Sequence, residues 1–197
     1  DLIDDAEYGL EAAVCDCCYY GLEGVSDQEN RYYTCYNKVF RNERSATERL
    51  DRLTNFSVRD IMFVGTEEYV LECRQRLIDE LSDFLRSLRL CAKIETANDP
   101  FFANESAMKS VFQNSQRLKY EILAFIPHLK SEIAVGSVNL HLDFFGNAFD
   151  ISTNGDETAF SGCIGVGMER MAYALFCQHG HSIADWPREV VDFLEIK

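Results

Sequence analysis

The chain has 197 residues, 47% of them hydrophobic and 12% aromatic, enough for one domain with a sizeable core. Its 33 acidic and 19 basic residues leave a net charge of −14, which repels phosphate backbones and argues against general nucleic-acid binding, though not against a pocket for one nucleotide. No apolar run approaches the roughly 18 residues of a membrane helix, no secretory leader is visible at Asp1-Leu-Ile-Asp-Asp, and eight cysteines in that setting point to reduced, cytoplasmic thiols used in cores or metal sites.

Residues 32–41 are β-branched and aromatic, which predicts a strand. A polar, arginine-rich loop follows over 42–52, and Val58–Val64 reads as the returning strand. Apolar residues at 70, 71, 77, 78, 81, 84, 85 and 88 give Glu68–Leu90 a helical period. Strands are expected near 92–96, 117–126, 131–142 and 146–152, with turn signals at Asn98-Asp-Pro and Asn154-Gly-Asp. The stretch from Ser161 to Leu175 is a short apolar strand, a Gly-x-Gly turn and an amphipathic helix, which Gly180 should end. Pro187 suits the first turn of a last short helix. These elements predict an α+β domain on a largely antiparallel sheet, spanning 1–197 as one unit. Cys73, Cys91 and Cys177 fall in or beside the regular elements and are expected to be buried.

Arg170 sits in the first turn of its helix, where positive charge opposes the macrodipole, so an anionic or flat partner is expected. Two longer patterns give this meaning. Phe40-Arg41-Asn42-Glu43, a loop, and Arg52-x-x-x-Phe56-x-x-x-Asp60 resemble motif 2 of class II aminoacyl-tRNA synthetases, and Gly165-x-Gly167-x-Glu169-Arg170-x-x-x-Ala174-Leu175 resembles their motif 3. Ala97-Asn-Asp-Pro-Phe-Phe102, Lys119-Tyr-Glu121 and Ser137-Val-Asn-Leu-His-Leu-Asp-Phe-Phe-Gly146 are similar to segments of amino acid:[carrier protein] ligases, truncated relatives of the atypical, zinc-dependent seryl-tRNA synthetases. His179-Gly-His and Asp185-Trp-Pro187 fit as well. The likeness runs from about residue 12 onward, and the region of motif 1 is expected to be reduced or missing.

The resemblance implies a homodimeric, ATP- and Mg²⁺-dependent enzyme. It would activate a small amino acid, glycine or alanine, as an aminoacyl-adenylate and pass it to the phosphopantetheine thiol of a carrier protein. Adenylation needs a positive clamp where charge builds on the α-phosphate, and Arg41 offers a rigid bidentate fork at a strand end. Glu43 could accept from the adenine amino group, Phe56 and Arg170 could sandwich the ring, and Arg52 could reach the outer phosphates. Glu132 either holds Mg²⁺ or is a solvated strand-start carboxylate. Lys119 would pair with the substrate carboxylate or a phosphate, with Glu121, Ser137 and Asn139 lining the pocket. His141 either lines it too or is a satisfied core histidine.

The resemblance further implies Zn²⁺ on Cys15, Asp60 and Cys163, three protein ligands with a fourth position for the substrate amine. Asp60 stands where the family usually has Glu, one methylene longer. Cys17 and Cys18 could replace Cys15 or add a ligand that closes the site. Two other readings remain at this point: a seryl-tRNA synthetase core, which the −14 charge disfavours, and a catalytically silent paralog, which Asp60 and Phe160 (where a His is expected) favour. The arginines at 74, 76, 86 and 89 form either a carrier-docking patch or a solvated helix face.

Overall fold

The computed structural model describes residues 10–41, 51–97 and 118–196. In chain order these form α1 (Val14–Tyr20), β1 (Arg31–Phe40), β2 (Asn55–Gly65), α2 (Glu67–Ser87), β3 (Ala92–Thr96), β4 (Lys119–Ile126), β5 (Ser131–Leu142), α3 (Phe144–Ala148), β6 (Ser152–Thr153), β7 (Glu157–Thr158), β8 (Phe160–Gly167), α4 (Met168–His179) and α5 (Arg188–Phe193). Six strands build one sheet in the order β1-β2-β8-β5-β4-β3, and every neighbouring pair is antiparallel. The α+β expectation therefore holds. The hairpin of the second motif is β1 and β2, in register from Arg31 opposite Val64 to Phe40 opposite Asn55.

Strand alternation divides the sheet into two unlike faces. One carries Ile122, Ala124, Ile126, Val138 and Ile164 against Leu81 and Leu85 of α2, Met171 and Leu175 of α4, and Val190 of α5. The other carries Met62 and Cys163 against Cys15 and Tyr19 of α1 at one end, with Phe145 and Phe149 packed alongside. The rest of that second face is not roofed by a helix of the described residues. A bulge in β5 tunes it: Ile122 pairs with Gly136 but Leu123 with Ala134, so Val135 is the extra residue. Val135 and Val138 both reach the helix-side core, and the change of parity puts Ala134 on the same face as Ser137 and Asn139.

Gly162 sits where strands β8 and β5 press on Phe63. A Cβ there would enter the Phe63 ring and approach the Asn139 carbonyl to 2.8 Å. Gly162→Ala should therefore cost about 1–3 kcal/mol by overpacking. A chain of this size should then melt lower by several degrees, about 2–4 °C per kcal/mol. An unchanged melting temperature would show that the ring moves freely aside.

Helix α2 begins on Thr66, whose hydroxyl accepts from the Tyr69 N–H at 3.3 Å, with Glu67 and Glu68 in the favoured first turn. It ends earlier than its periodicity predicts. Arg89 takes a positive φ of 50° and the Leu90 N–H turns back to Leu85 O, so Leu88 and Leu90 enter the core from a turn. The helix arginines have acidic or aromatic neighbours: Arg76 pairs with Glu80, Arg86 with Asp83 and Arg89 with Glu189, while Arg74 lies over the Tyr120 ring. Gly180 ends α4 as expected, with φ of 98°.

The strand expected at 146–152 is a correction. Gly146–Ala148 belong to α3 instead, where the neighbouring Phe145 stacks on Tyr19 at 4.0 Å between centroids, and the chain becomes extended only at Ser152. Cys91 is exposed rather than buried, because it occupies the turn between α2 and β3; Cys73 is buried and Cys177 half-buried. All eight cysteines are free thiols. Among the described residues no helix is long and apolar enough to cross a membrane.

Candidate active site

A cavity opens on the second sheet face, and the strands that floor it set what it contains. At one end Arg41 follows β1, its main-chain N–H held by Thr54 O at 2.9 Å. Its guanidinium lies 5.3 Å from the centroid of Phe56 on β2, and its Nε donates to Ala12 O at 3.3 Å. Arg170 reaches the same cavity from the first turn of α4, donating from Nη1 to Ala134 O at 3.0 Å. The preceding Glu169 ties the two motifs together: its carboxylate accepts the Ser57 N–H at 2.8 Å and faces Lys38 at 3.6 Å. The basic residue that offends the helix dipole is thus accompanied by an acidic one that suits it.

Across β5 from Cys163 and Asp60, and level with them along the strands, Lys119 and Glu121 of β4 face each other at 3.9 Å beside Ser137 and Asn139 of β5. Lys119 is opposite Asn139 and Glu121 opposite Ser137 in the strand register, so these four form one block. Both positive and negative groups are then available to a zwitterionic ligand.

At the far end Cys15, Asp60 and Cys163 converge from α1, β2 and β8. Their donor atoms all lie within 4.8 Å of one another and all three residues are buried. Donors around one tetrahedral Zn²⁺ lie about 3–4 Å apart, given bonds of 2.0–2.3 Å, so a small closure suffices. Asp60 Oδ1 is buried with no hydrogen-bond partner, an expensive state that a cation would relieve. Gly165 makes room for it, since a Cβ there would stand 2.5 Å from that oxygen. Two sulfurs and one carboxylate oxygen suit zinc chemically, and the shorter side chain of Asp60 still reaches the group.

The protonation of the trio follows from its burial. Cys163 is held well below the ordinary thiol range, first by the hydrogen bond from Cys15 and then, against burial, by His141 and the hydrogen bond from Asn139. Cys15 is pushed far up, because it donates to Cys163 and is buried. Burial, and next the Cys163 charge, pushes Asp60 up to about 7, with Arg41 opposing. The folded, metal-free protein thus keeps a proton on Asp60 that an unfolded chain releases near 3.8. Its stability should fall as pH rises from about 4 to about 7, since the folded state binds the extra proton over that range. Denaturant titrations of metal-free protein across this window should show the fall, and Asp60→Asn should flatten it; an unchanged slope in the variant would assign the titration elsewhere.

Other expected residues are not brought to the cavity. Cys17 points away and donates to Glu11 at 2.9 Å, and Cys18 packs beside Cys35, so neither joins the trio. Glu132 accepts from Lys93 at 2.9 Å and Arg52 is exposed, both outside the cavity lining. Glu43 and the 98–102 segment lie outside the described residues. Sequence reasoning missed α1 as an element, and with it Tyr19, fully buried four residues after Cys15 on the same helical face. The Cys15, Cys18, Tyr19, Leu22 spacing carried that signal.

The chain has known relatives. The chain is 35% identical over 154 residues to amino acid--[acyl-carrier-protein] ligase 1 of Bradyrhizobium diazoefficiens, covering 78% of this chain and 47% of that protein. To ligase 2 of the same organism it is 37% identical over 151 residues, covering 77% and 45%. The chain spans about half the length of these curated relatives. It is 26% identical over 205 residues to the type-2 serine--tRNA ligase of Methanopyrus kandleri, covering 98% of this chain and 39% of that one. The fold matches the M. kandleri seryl-tRNA synthetase solved with A. aeolicus tRNASec, with a TM-score of 0.78 at 23% identity over 94% of this chain and 37% of that one. Residues 3–179 match the tRNA synthetase class II core domain (G, H, P, S and T), and the chain belongs to that family.

Proposed function

We propose that this chain is the catalytic core of an ATP-dependent amino acid:[carrier protein] ligase that activates glycine or alanine. The observation that carries the reading is the cavity itself, which has two arginines at one end and, toward the other, a buried Cys15-Asp60-Cys163 trio with Lys119 and Glu121 across β5 from it. The names of the two Bradyrhizobium relatives support the same reaction class.

In this reading adenine enters between Phe56 and Arg170, and the Arg41 guanidinium swings off the Phe56 ring toward the α-phosphate. The substrate carboxylate, steered by Lys119, attacks that phosphorus; the bond to the bridging oxygen breaks and pyrophosphate leaves. Arg41 donates to the oxygens on which charge builds. Zn²⁺ held by Cys15, Asp60 and Cys163 would offer an open position to a neutral α-amine and so favour α-amino acids. For Glu132 to hold the Mg²⁺ that accompanies ATP, its carboxylate has to leave Lys93. The thiol of a phosphopantetheinylated carrier then attacks the carbonyl and AMP departs. A homodimer is part of the reading.

Amino-acid-dependent exchange of pyrophosphate into ATP, run over a panel of amino acids, tests the first half. Exchange with glycine or alanine well above all larger amino acids is expected. Exchange with serine alone would favour a seryl-tRNA synthetase core, and none with any amino acid would favour a silent paralog.

A further inference from the structure

The half-buried histidine on β5 has a defined job. Tyr19 Oη lies 3.0 Å from His141 Nδ1, and Ser161 Oγ lies 3.4 Å from the same nitrogen. The other ring nitrogen, Nε2, faces Cys163 Sγ at 3.8 Å. Cys163 Sγ already accepts from Asn139 Nδ2, so the ring nitrogen that faces this sulfur is assigned the proton and Nδ1 accepts from the Tyr19 hydroxyl. The ring proton is then on Nε2, aimed at sulfur. Asn139 Nδ2 aims at the same sulfur at 3.5 Å. The ring has little freedom to turn, being edge-on to Tyr19 and to Phe145 with interplanar angles of 84° and 88°.

We propose that His141 is a positioning residue for the metal centre: its Nε2–H, oriented by Tyr19, donates to the Cys163 sulfur and fixes the direction in which that thiolate presents its lone pairs. The relay also closes a loop through the fold. Tyr19 sits on the same face of α1 as Cys15, so one helix supplies a donor atom and, through Tyr19 and His141, orients a second donor on β8. This rests on the metal reading of the Cys15-Asp60-Cys163 trio, and partners of this kind typically account for 10–100-fold in metal affinity.

Cobalt substitution gives a readout that mere packing does not move. Co²⁺ titrated into the metal-free protein should produce a near-ultraviolet band from thiolate-to-metal charge transfer. In His141→Leu the band should move to lower energy, as the sulfur loses a hydrogen bond and becomes more electron-rich, and Co²⁺ affinity should fall about 10-fold or more. His141→Gln, whose amide N–H₂ reaches roughly the place of Nε2, should restore most of the band position. Tyr19→Phe should give an intermediate shift, because the ring then loses the partner that fixes its tautomer. If the parent shows no thiolate–cobalt band, the metal reading itself fails. A parent band that is unmoved in both His141→Leu and Tyr19→Phe, with affinity intact, would overturn the positioning role alone. Loss of all binding in His141→Gln as well as His141→Leu would make His141 a ligand and would equally overturn it. Circular dichroism of each variant identifies a misfolded one, and His141→Gln or Tyr19→Phe then decides.

Discussion

Arg41→Ala should slow amino-acid-dependent pyrophosphate exchange about 10²-fold or more while leaving the melting temperature nearly unchanged. The two halves of this expectation have separate causes. Arg41 is exposed at the end of β1, and its side chain meets, among the described residues, Ala12 O at 3.3 Å and the Phe56 ring face. Truncating such a side chain costs folding little. In the adenylation step proposed above, however, it is the group assigned to the α-phosphate, and removing an oriented donor from a developing oxyanion costs about 10²–10³ in rate. Arg41→Lys should recover only part of the loss, because an ammonium keeps the charge but not the planar fork. Exchange that proceeds at the parent rate in Arg41→Ala would remove this residue from the mechanism and leave Arg170 and Lys119 as the cationic groups of the cavity.

Cys163→Ala should strip the metal. Cys163 lies at the centre of the trio: it is the acceptor of the Cys15 bond, of Asn139 and of His141, and its charge is among the causes that push Asp60 upward. Purified parent protein should carry about one Zn²⁺ per chain by elemental analysis, and the variant only a trace. The metal-free variant should still fold, since losing the thiolate also relieves the burial of charge beside Asp60. Equal zinc in parent and variant would place any metal on other residues, with the Cys18 and Cys35 pair the next to test.

How much of this was legible in the sequence depends on the range of the interaction that decides each element. The hairpin of β1 and β2, the long helix and the Gly-x-Gly joint before α4 are local patterns, and their periods or turn residues were enough. The α3 segment was not: a strand was expected from Gly146, but Tyr19, far away in the chain, supplies the ring on which the adjacent Phe145 stacks, and the helix runs through Ala148. The end of α2 was misjudged for a similar reason: Leu88 and Leu90 continue the apolar pattern although the backbone has already turned at Arg89.

In the site, the positions suggested by family resemblance meet in one cavity wherever strand register carries them there, as with Lys119 opposite Asn139 and Glu121 opposite Ser137. Glu132 does not follow, because Lys93 on the edge strand takes its carboxylate. His141 could be placed on the right strand but not assigned a role. Its partners Tyr19, Ser161 and Cys163 come from two other elements, and only the folded chain brings them within reach.

The central claim is the acceptor. Protein should be incubated with ATP, labelled glycine or alanine, and in parallel either phosphopantetheinylated acyl carrier protein or total tRNA. The account predicts label on the carrier that hydroxylamine releases, as a thioester requires, a matching intact-mass increase on the carrier, and an unlabelled tRNA pool. Labelled tRNA beside an unmodified carrier would contradict it.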